Sequence, residues 1–167
     1  MYRNITRPQT RGNRPMGAIT LKRYMSKQLI VERDITIDAP AADVWDILTL
    51  PVFIRGWDDL PEDFGDTPLQ RGTEIKWTMK DKSVVLTVTD FEPHKRLKLN
   101  LYNSDWENPA EAYDIAYTYT LQETGGQTEL HVTIGDFQVL SKGQDYFDSS
   151  EEFGDNATQK IKELAEN

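Results

Sequence analysis

The segment Ile35–Trp57, ITIDAPAADVWDILTLPVFIRGW, constrains the fold more than any other part of the chain. Ile35 and Ile37 alternate with Thr36 and Asp38, which is the two-residue period of a strand buried on one face. Pro40 ends that strand, because it has no N–H to give to a sheet and its fixed φ suits the entry to a helix. Val44, Trp45 and Leu48 then form an amphipathic stripe over Ala41–Leu48. After Pro51 a second apolar cluster follows, made of Val52, Phe53, Ile54 and Trp57. Strand, helix and short helix therefore precede any second strand, and the two helices must bridge the first strand to the rest of a sheet.

Alternation returns after the acidic link DDLPEDFGDTPLQRG and then persists. Ile75, Trp77 and Met79 share one phase, and an Asp81-Lys82 connection leads to Val84, Leu86 and Val88. The turn EPHKR precedes Leu97, Leu99 and Leu101. A longer loop, YNSDWENPAEA, separates these from Tyr113, Ile115, Tyr117, Tyr119 and Leu121. ETGGQ is a hairpin signal, since Gly125 and Gly126 accept positive φ at no steric cost. Leu130, Val132 and Ile134 end the series. Five strands joined by short turns make an antiparallel meander with one apolar face, and the first strand makes six.

That face needs a cover. Tyr146, Ser150, Phe153, Ala157, Ile161 and Leu164 follow helical spacing from about Asp145 to Ala165. Ser141 with Gln144, or Ser149 with Glu152, offers a capping box. Gly154 costs about 1 kcal/mol relative to alanine in a helix interior, so close packing is expected there. The order β-α-α-β-β-β-β-β-α reads as an α+β fold: a curved antiparallel sheet of six to seven strands wrapped around a long C-terminal helix, with two short helices after the first strand.

The chain has 167 residues, enough for a single self-supporting core. It has no cysteine, which excludes disulfides, thiolate nucleophiles and cysteine–zinc sites. The net charge of −9 is unevenly spread. Residues 1–27 hold 7 Lys or Arg and no acid, whereas residues 28–167 carry 12 basic against 28 acidic residues. An acidic body disfavours phosphate backbones, so nucleic acid is not the expected partner. No apolar run is long enough to span a bilayer, and the expected location is cytoplasmic. Residues 1–27 read as a disordered basic leader ahead of a domain at 28–167. A transit-peptide-like segment, or a natural start at Met25, remain open beside that reading.

Chemistry-bearing motifs are sparse. His94 lies in a turn and His131 points away from the apolar face, and the chain has no further histidine and no cysteine to complete a metal or triad site with either. Asp58, Asp59, Glu62, Asp63 and Asp66 lack the spacing of a calcium loop and read as a solvated rim. No glycine pattern forms a phosphate cradle, and no cofactor or metal is expected. The aromatics are more informative. Trp77, Tyr113, Tyr117 and Tyr119 are expected on one sheet face with Met79, under a helix bearing Tyr146, Phe153 and Ala157. Buried tyrosine hydroxyls need partners, which a partly polar pocket supplies. Arg33, in phase with Val31 and Ile35, is the candidate polar anchor, or else a salt bridge at the strand end.

The order of elements and its motifs resemble the START-like helix-grip (SRPBCC, or birch-allergen) superfamily. Within it the chain is most similar to homologues of the activator of the ninety-kilodalton heat-shock protein ATPase. The resemblance rests on ITIDAPAADVWDIL, on FIRGW, on Arg71-Gly72 and on TDFEPHKRLKL, and covers about residues 28–167. One departure is Asp155, which follows Gly154 where many members carry tryptophan. The resemblance implies a hydrophobic cavity between sheet and last helix. A small hydrophobic or amphipathic ligand is therefore the first expectation. A chaperone-cofactor-like interaction module is the alternative, and a cavity-based cyclase or hydrolase comes third, lacking a recognisable acid–base pair. Fold alone does not choose among them.

Overall fold

The structure, a computed structural model, describes residues 28–167. The basic leader expected at 1–27 lies outside the described residues. The elements are β1 (Val31–Ile37), α1 (Ala41–Thr49), α2 (Pro51–Ile54), β2 (Glu74–Met79), β3 (Lys82–Glu92), β4 (Arg96–Asn103), β5 (Ala116–Thr124), β6 (Gln127–Gly135) and α3 (Gly143–Glu166). Two single 3₁₀ turns, Ala110–Ala112 and Phe137–Val139, precede β5 and α3. This is the α+β helix-grip architecture, with six strands.

All strands lie in one antiparallel sheet of order β1-β6-β5-β4-β3-β2. The first strand thus pairs with the last, and α1, α2 and the acidic link carry the chain from one sheet edge to the other. The β5–β6 hairpin is closed by local chemistry. Gly125 (φ 61°) and Gly126 (φ 83°) form the two-residue turn between Thr124 and Gln127. The register aligns one apolar row across the sheet: Val31 faces Ile134, Ile134 faces Tyr117, Tyr117 faces Leu99, and Leu99 faces Val88. A bulge then falls between Val88 and Asp90, where such an irregularity bends the strand.

Trp45 is buried on α1 and packs edge-on against Phe91 of β3, with ring centroids 5.2 Å apart. That contact ties the first helix to the sheet. Trp57, just past α2, is also buried, and its indole N–H donates to the Ile47 carbonyl at 2.9 Å.

Helix α3 crosses the concave face and begins two residues earlier than the apolar spacing indicates. Neither expected capping box forms: Lys142 stands at the N-cap with no side-chain bond. The helix start is instead pressed against the 3₁₀ turn before it. A Cβ on Gly143 would lie 2.1 Å from the Phe137 carbonyl oxygen, so only glycine permits that approach. The expected close packing at Gly154 is present, where a Cβ would meet Arg33 Cγ at 3.4 Å and Val31 Cγ1 at 3.5 Å. Among the described residues no helix is long and apolar enough to cross a membrane.

Candidate functional site

A cavity of about 330 Å³ lies between the sheet and α3. Its floor is the inner face of β2–β5: Ile75 and Trp77, Val84 and Leu86, Leu97, Leu99, Leu101 and Asn103, then Tyr117 and Tyr119. These positions follow from strand periodicity, since every second residue points inward. The roof is the first half of α3, with Tyr146, Ser149, Ser150 and Phe153. Trp57, Asp58, Asp59 and Leu60 close one side and Trp106 closes another. The rings of Tyr117 and Phe153 meet edge-on at 5.7 Å, and those of Trp57 and Tyr119 at 5.9 Å.

Two polar groupings interrupt this apolar wall. At the first, the Tyr146 hydroxyl oxygen accepts from Trp106 Nε1 at 3.1 Å and from Asn103 Nδ2 at 3.4 Å. Its own hydrogen is thereby left to donate. At the second, Asp58 stands beside Tyr117 and Tyr119. Asp58 Oδ1 accepts the Asp59 N–H at 2.7 Å. Burial pushes the Asp58 carboxyl up to about 6; the backbone bond from Asp59 opposes this and the Asp59 charge adds to it. Burial, helped by the Asp58 charge, likewise pushes Tyr117 up to about 12 and Tyr119 well above the usual phenol range. Both phenols are neutral donors at physiological pH. Tyr119 is only 3% exposed, and among the described residues its hydroxyl has no hydrogen-bond partner.

Of the residues expected at the site, Trp77, Tyr117, Tyr119, Tyr146 and Phe153 come together around the cavity. Four others stand elsewhere. Arg33 spans from β1 to α3, with Nε 2.7 Å from Asp155 and Nη2 3.1 Å from Glu151; it clasps the helix to the sheet edge and is no anchor inside the cavity. Met79 is exposed at the end of β2, where the edge strand has run past the helix. Tyr113 lies ahead of β5; its hydroxyl accepts the Asn108 N–H at 3.1 Å and its ring backs Trp106 at 4.9 Å. Ala157 is buried in the core one turn beyond Phe153.

Sequence reading missed Asp58, Asn103 and Trp106. Asn103 was legible, because it continues the phase of Leu97, Leu99 and Leu101 along β4. Asp58 follows a buried tryptophan directly, but an acidic run gives no sign of which carboxylate turns inward. His131 does point away from the cavity, with Nδ1 2.7 Å from Asp34 Oδ1 on the outer face. Among the described residues no cluster of three His, Asp or Glu side chains is arranged to hold a metal.

Comparison with known proteins places this geometry. No curated protein sequence matches the chain. Among solved structures, protein MLL2253 of Mesorhizobium loti superposes with a TM-score of 0.62 at 21% identity, over 81% of this chain and 95% of that one. The Aha1 dimer of Colwellia psychrerythraea gives 0.58 at 16% identity, over 82% and 96%. DynU16, from the dynemicin biosynthetic locus, gives 0.59 at 18% identity over 83% of this chain; the chain spans about half of DynU16, 47% of its length. At these identities the likeness is one of fold. The model of the family described as "Activator of Hsp90 ATPase homolog 1-like protein" matches residues 38–166, nearly all of the described domain. With the helix-grip architecture already established, the chain belongs to that family, within the SRPBCC superfamily.

Proposed function

We propose that the protein binds a small, largely apolar molecule carrying one polar end, held in the cavity between β2–β5 and α3. The observation that carries this reading is the Tyr119 hydroxyl, buried and unpartnered among the described residues on the wall of an aromatic-lined cavity. A buried donor left without an acceptor costs about 1–3 kcal/mol, and a ligand oxygen or nitrogen would recover that cost. The cavity volume sits near the low end of ligand sites, about 300–1,000 Å³. The occupant is therefore compact, smaller than a sterol or a long acyl chain. Apolar burial supplies affinity and the hydroxyls set orientation.

A neutral probe, naphthylethanol, tests the reading by backbone-amide NMR. Saturable shifts are expected at Tyr117 and Tyr119 and along Tyr146–Phe153. Tyr119→Phe should fold and be more stable than the parent by about 1–3 kcal/mol, since it removes a buried hydroxyl that makes no bond, while weakening the probe's binding. Absence of saturable shifts around the cavity would overturn the reading.

A second reading is a chaperone-directed interaction module. It draws on the family description and on the apolar side chains that α2 presents to solvent, Val52 (69% exposed) and Phe53 (36%). Co-purification of a chaperone with the parent, lost on Val52→Asp, would favour it.

A further inference from the structure

The charge pattern of the cavity narrows the chemical class of its occupant. The lining contains two carboxylates, Asp58 and Asp59, and no lysine, arginine or histidine. It also contains seven aromatic rings: Trp57, Trp77, Trp106, Tyr117, Tyr119, Tyr146 and Phe153. Such a lining has nothing with which to neutralise a buried anion, and burying an unpaired charge is costly. It has two features that favour a cation: a carboxylate without an ion-pair partner among the described residues, and ring faces able to attract an ammonium.

Asp58 is placed for this role. It lines the cavity and also two shallower grooves at the surface, so it stands where the cavity meets solvent. Its one hydrogen bond uses Oδ1, from the Asp59 N–H, and leaves Oδ2 free. The neighbouring bases do not claim it. Arg55 pairs with Asp66 at 3.1 Å. Lys76 and Lys160 line the outer grooves, and among the described residues neither forms an ion pair with Asp58. The unpartnered Tyr119 hydroxyl is an independent sign that this end of the cavity is built for a polar group.

We propose that the cavity accepts a lipophilic amine, its ammonium held by Asp58 at the cavity mouth and its apolar body lodged among the aromatic rings. This rests on the cavity-binding reading above and adds the sign of the ligand's charge. An alkyl or aryl carboxylate is the class the site rejects, because it would bring a second anion against Asp58 and Asp59.

Three probes of nearly equal shape separate the two ideas: naphthylethylamine, naphthylethanol and naphthylacetate, each titrated at pH ~7.5 with amide shifts locating the bound molecule. The amine should bind about tenfold or more tighter than the alcohol, the scale of one charge-assisted contact, and the acetate more weakly than either. Asp58→Asn, which keeps the acceptor for the Asp59 N–H, should bring the amine-to-alcohol ratio to about unity, within a factor of roughly two to three. Asp63→Asn, which removes an equal charge outside the cavity lining, should leave the ratio intact. If neither alcohol nor amine shifts the cavity amides, the cavity-binding reading falls and this inference with it. If the alcohol binds there and the amine is no tighter, or the acetate matches it, the inference alone is overturned. A preference for amine that survives Asp58→Asn overturns the assignment to Asp58.

Discussion

The two halves of the concave face are closed in different ways. Under β1 and β6, the inward residues Val31, Leu130, Val132 and Ile134 are almost fully buried against Ala157 and Ile161 of the second half of α3. Its buried threonines are both partnered: Thr128 donates to the Ala39 carbonyl at 2.7 Å, and Thr158 to the Gly154 carbonyl at 2.8 Å. Under β2–β5, the first half of α3 stands over the cavity, and Asp58, Asn103, Tyr117, Tyr119 and Tyr146 point into it. The difference comes from two side-chain sizes on one helix. At Gly154 α3 lies directly against Arg33 and Val31 of β1, while the larger Tyr146 and Phe153 line the cavity toward its other end. One helix can therefore be a structural keystone at one end and the roof of a site at the other.

The largest test of this division is Trp45→Ala. Trp45 fastens α1 to Phe91 and belongs to the packed core, so its removal should cost about 3–5 kcal/mol in denaturant unfolding. A loss below about 1 kcal/mol would mean that α1 contributes little to closing the fold.

Asp58→Asn should act in the opposite direction. The Asp58 carboxyl is raised from 3.8 to about 6, so the folded state binds its proton more tightly than the unfolded chain does. This group's contribution to stability therefore falls as pH rises from about 4 through about 6, and at pH ~7 its charge is a standing penalty. Asp59, Tyr117 and Tyr119 are the titratable groups coupled to it, and both phenols stay neutral in this range. Asn should stabilise the protein by about 1–3 kcal/mol at pH ~7. The gain should vanish below pH ~4. Thermal unfolding of both proteins across pH 4–8 checks the sign; a gain that is independent of pH would show that Asp58 is solvated after all.

The smallest effect is expected at Gly154. A Cβ there meets Arg33 and Val31 at 3.4 and 3.5 Å, ordinary contact distances, and the nearer neighbour is a flexible side chain. Gly154→Ala should therefore gain about 0.5–1 kcal/mol from helix propensity. A loss of similar size would show that the packed half has no room to yield, which would sharpen the contrast with the cavity half.

Much of the fold was legible because periodicity is a local property. The strand over Ile35 and Ile37, the break at Pro40, the helix from Ala41 and the Gly125-Gly126 turn each depend on residues within one turn or one strand of each other. The site was legible only in part. Trp77, Tyr117 and Tyr119 were found by phase, since a strand shows one face of its pattern. Met79 has the right phase, yet it lies at the end of an edge strand where there is no roof. Tyr113 extends the apparent alternation, but the strand starts at Ala116 and its hydroxyl is used to close a loop. Arg33 also has the inward phase, and Glu151 and Asp155 draw it onto the helix.

The sequence by itself determined where the six strands lie, Tyr113 and Ile115 ahead of β5 excepted, where the long helices begin and end to within two residues, and that one sheet face is apolar. Dihedral preferences and side-chain alternation act over a few residues, so these are written locally. Only the tertiary structure decided that β1 pairs with β6, that α3 touches one half of the sheet and spans a cavity over the other, and that Asp58, the one acid of its run that is not exposed, stands beside Tyr117 and Tyr119. Those outcomes depend on which surfaces meet across more than fifty residues of chain, 58 to 117 in the case of Asp58 and Tyr117. Burial and electrostatic coupling between such groups exist only once the chain has closed on itself.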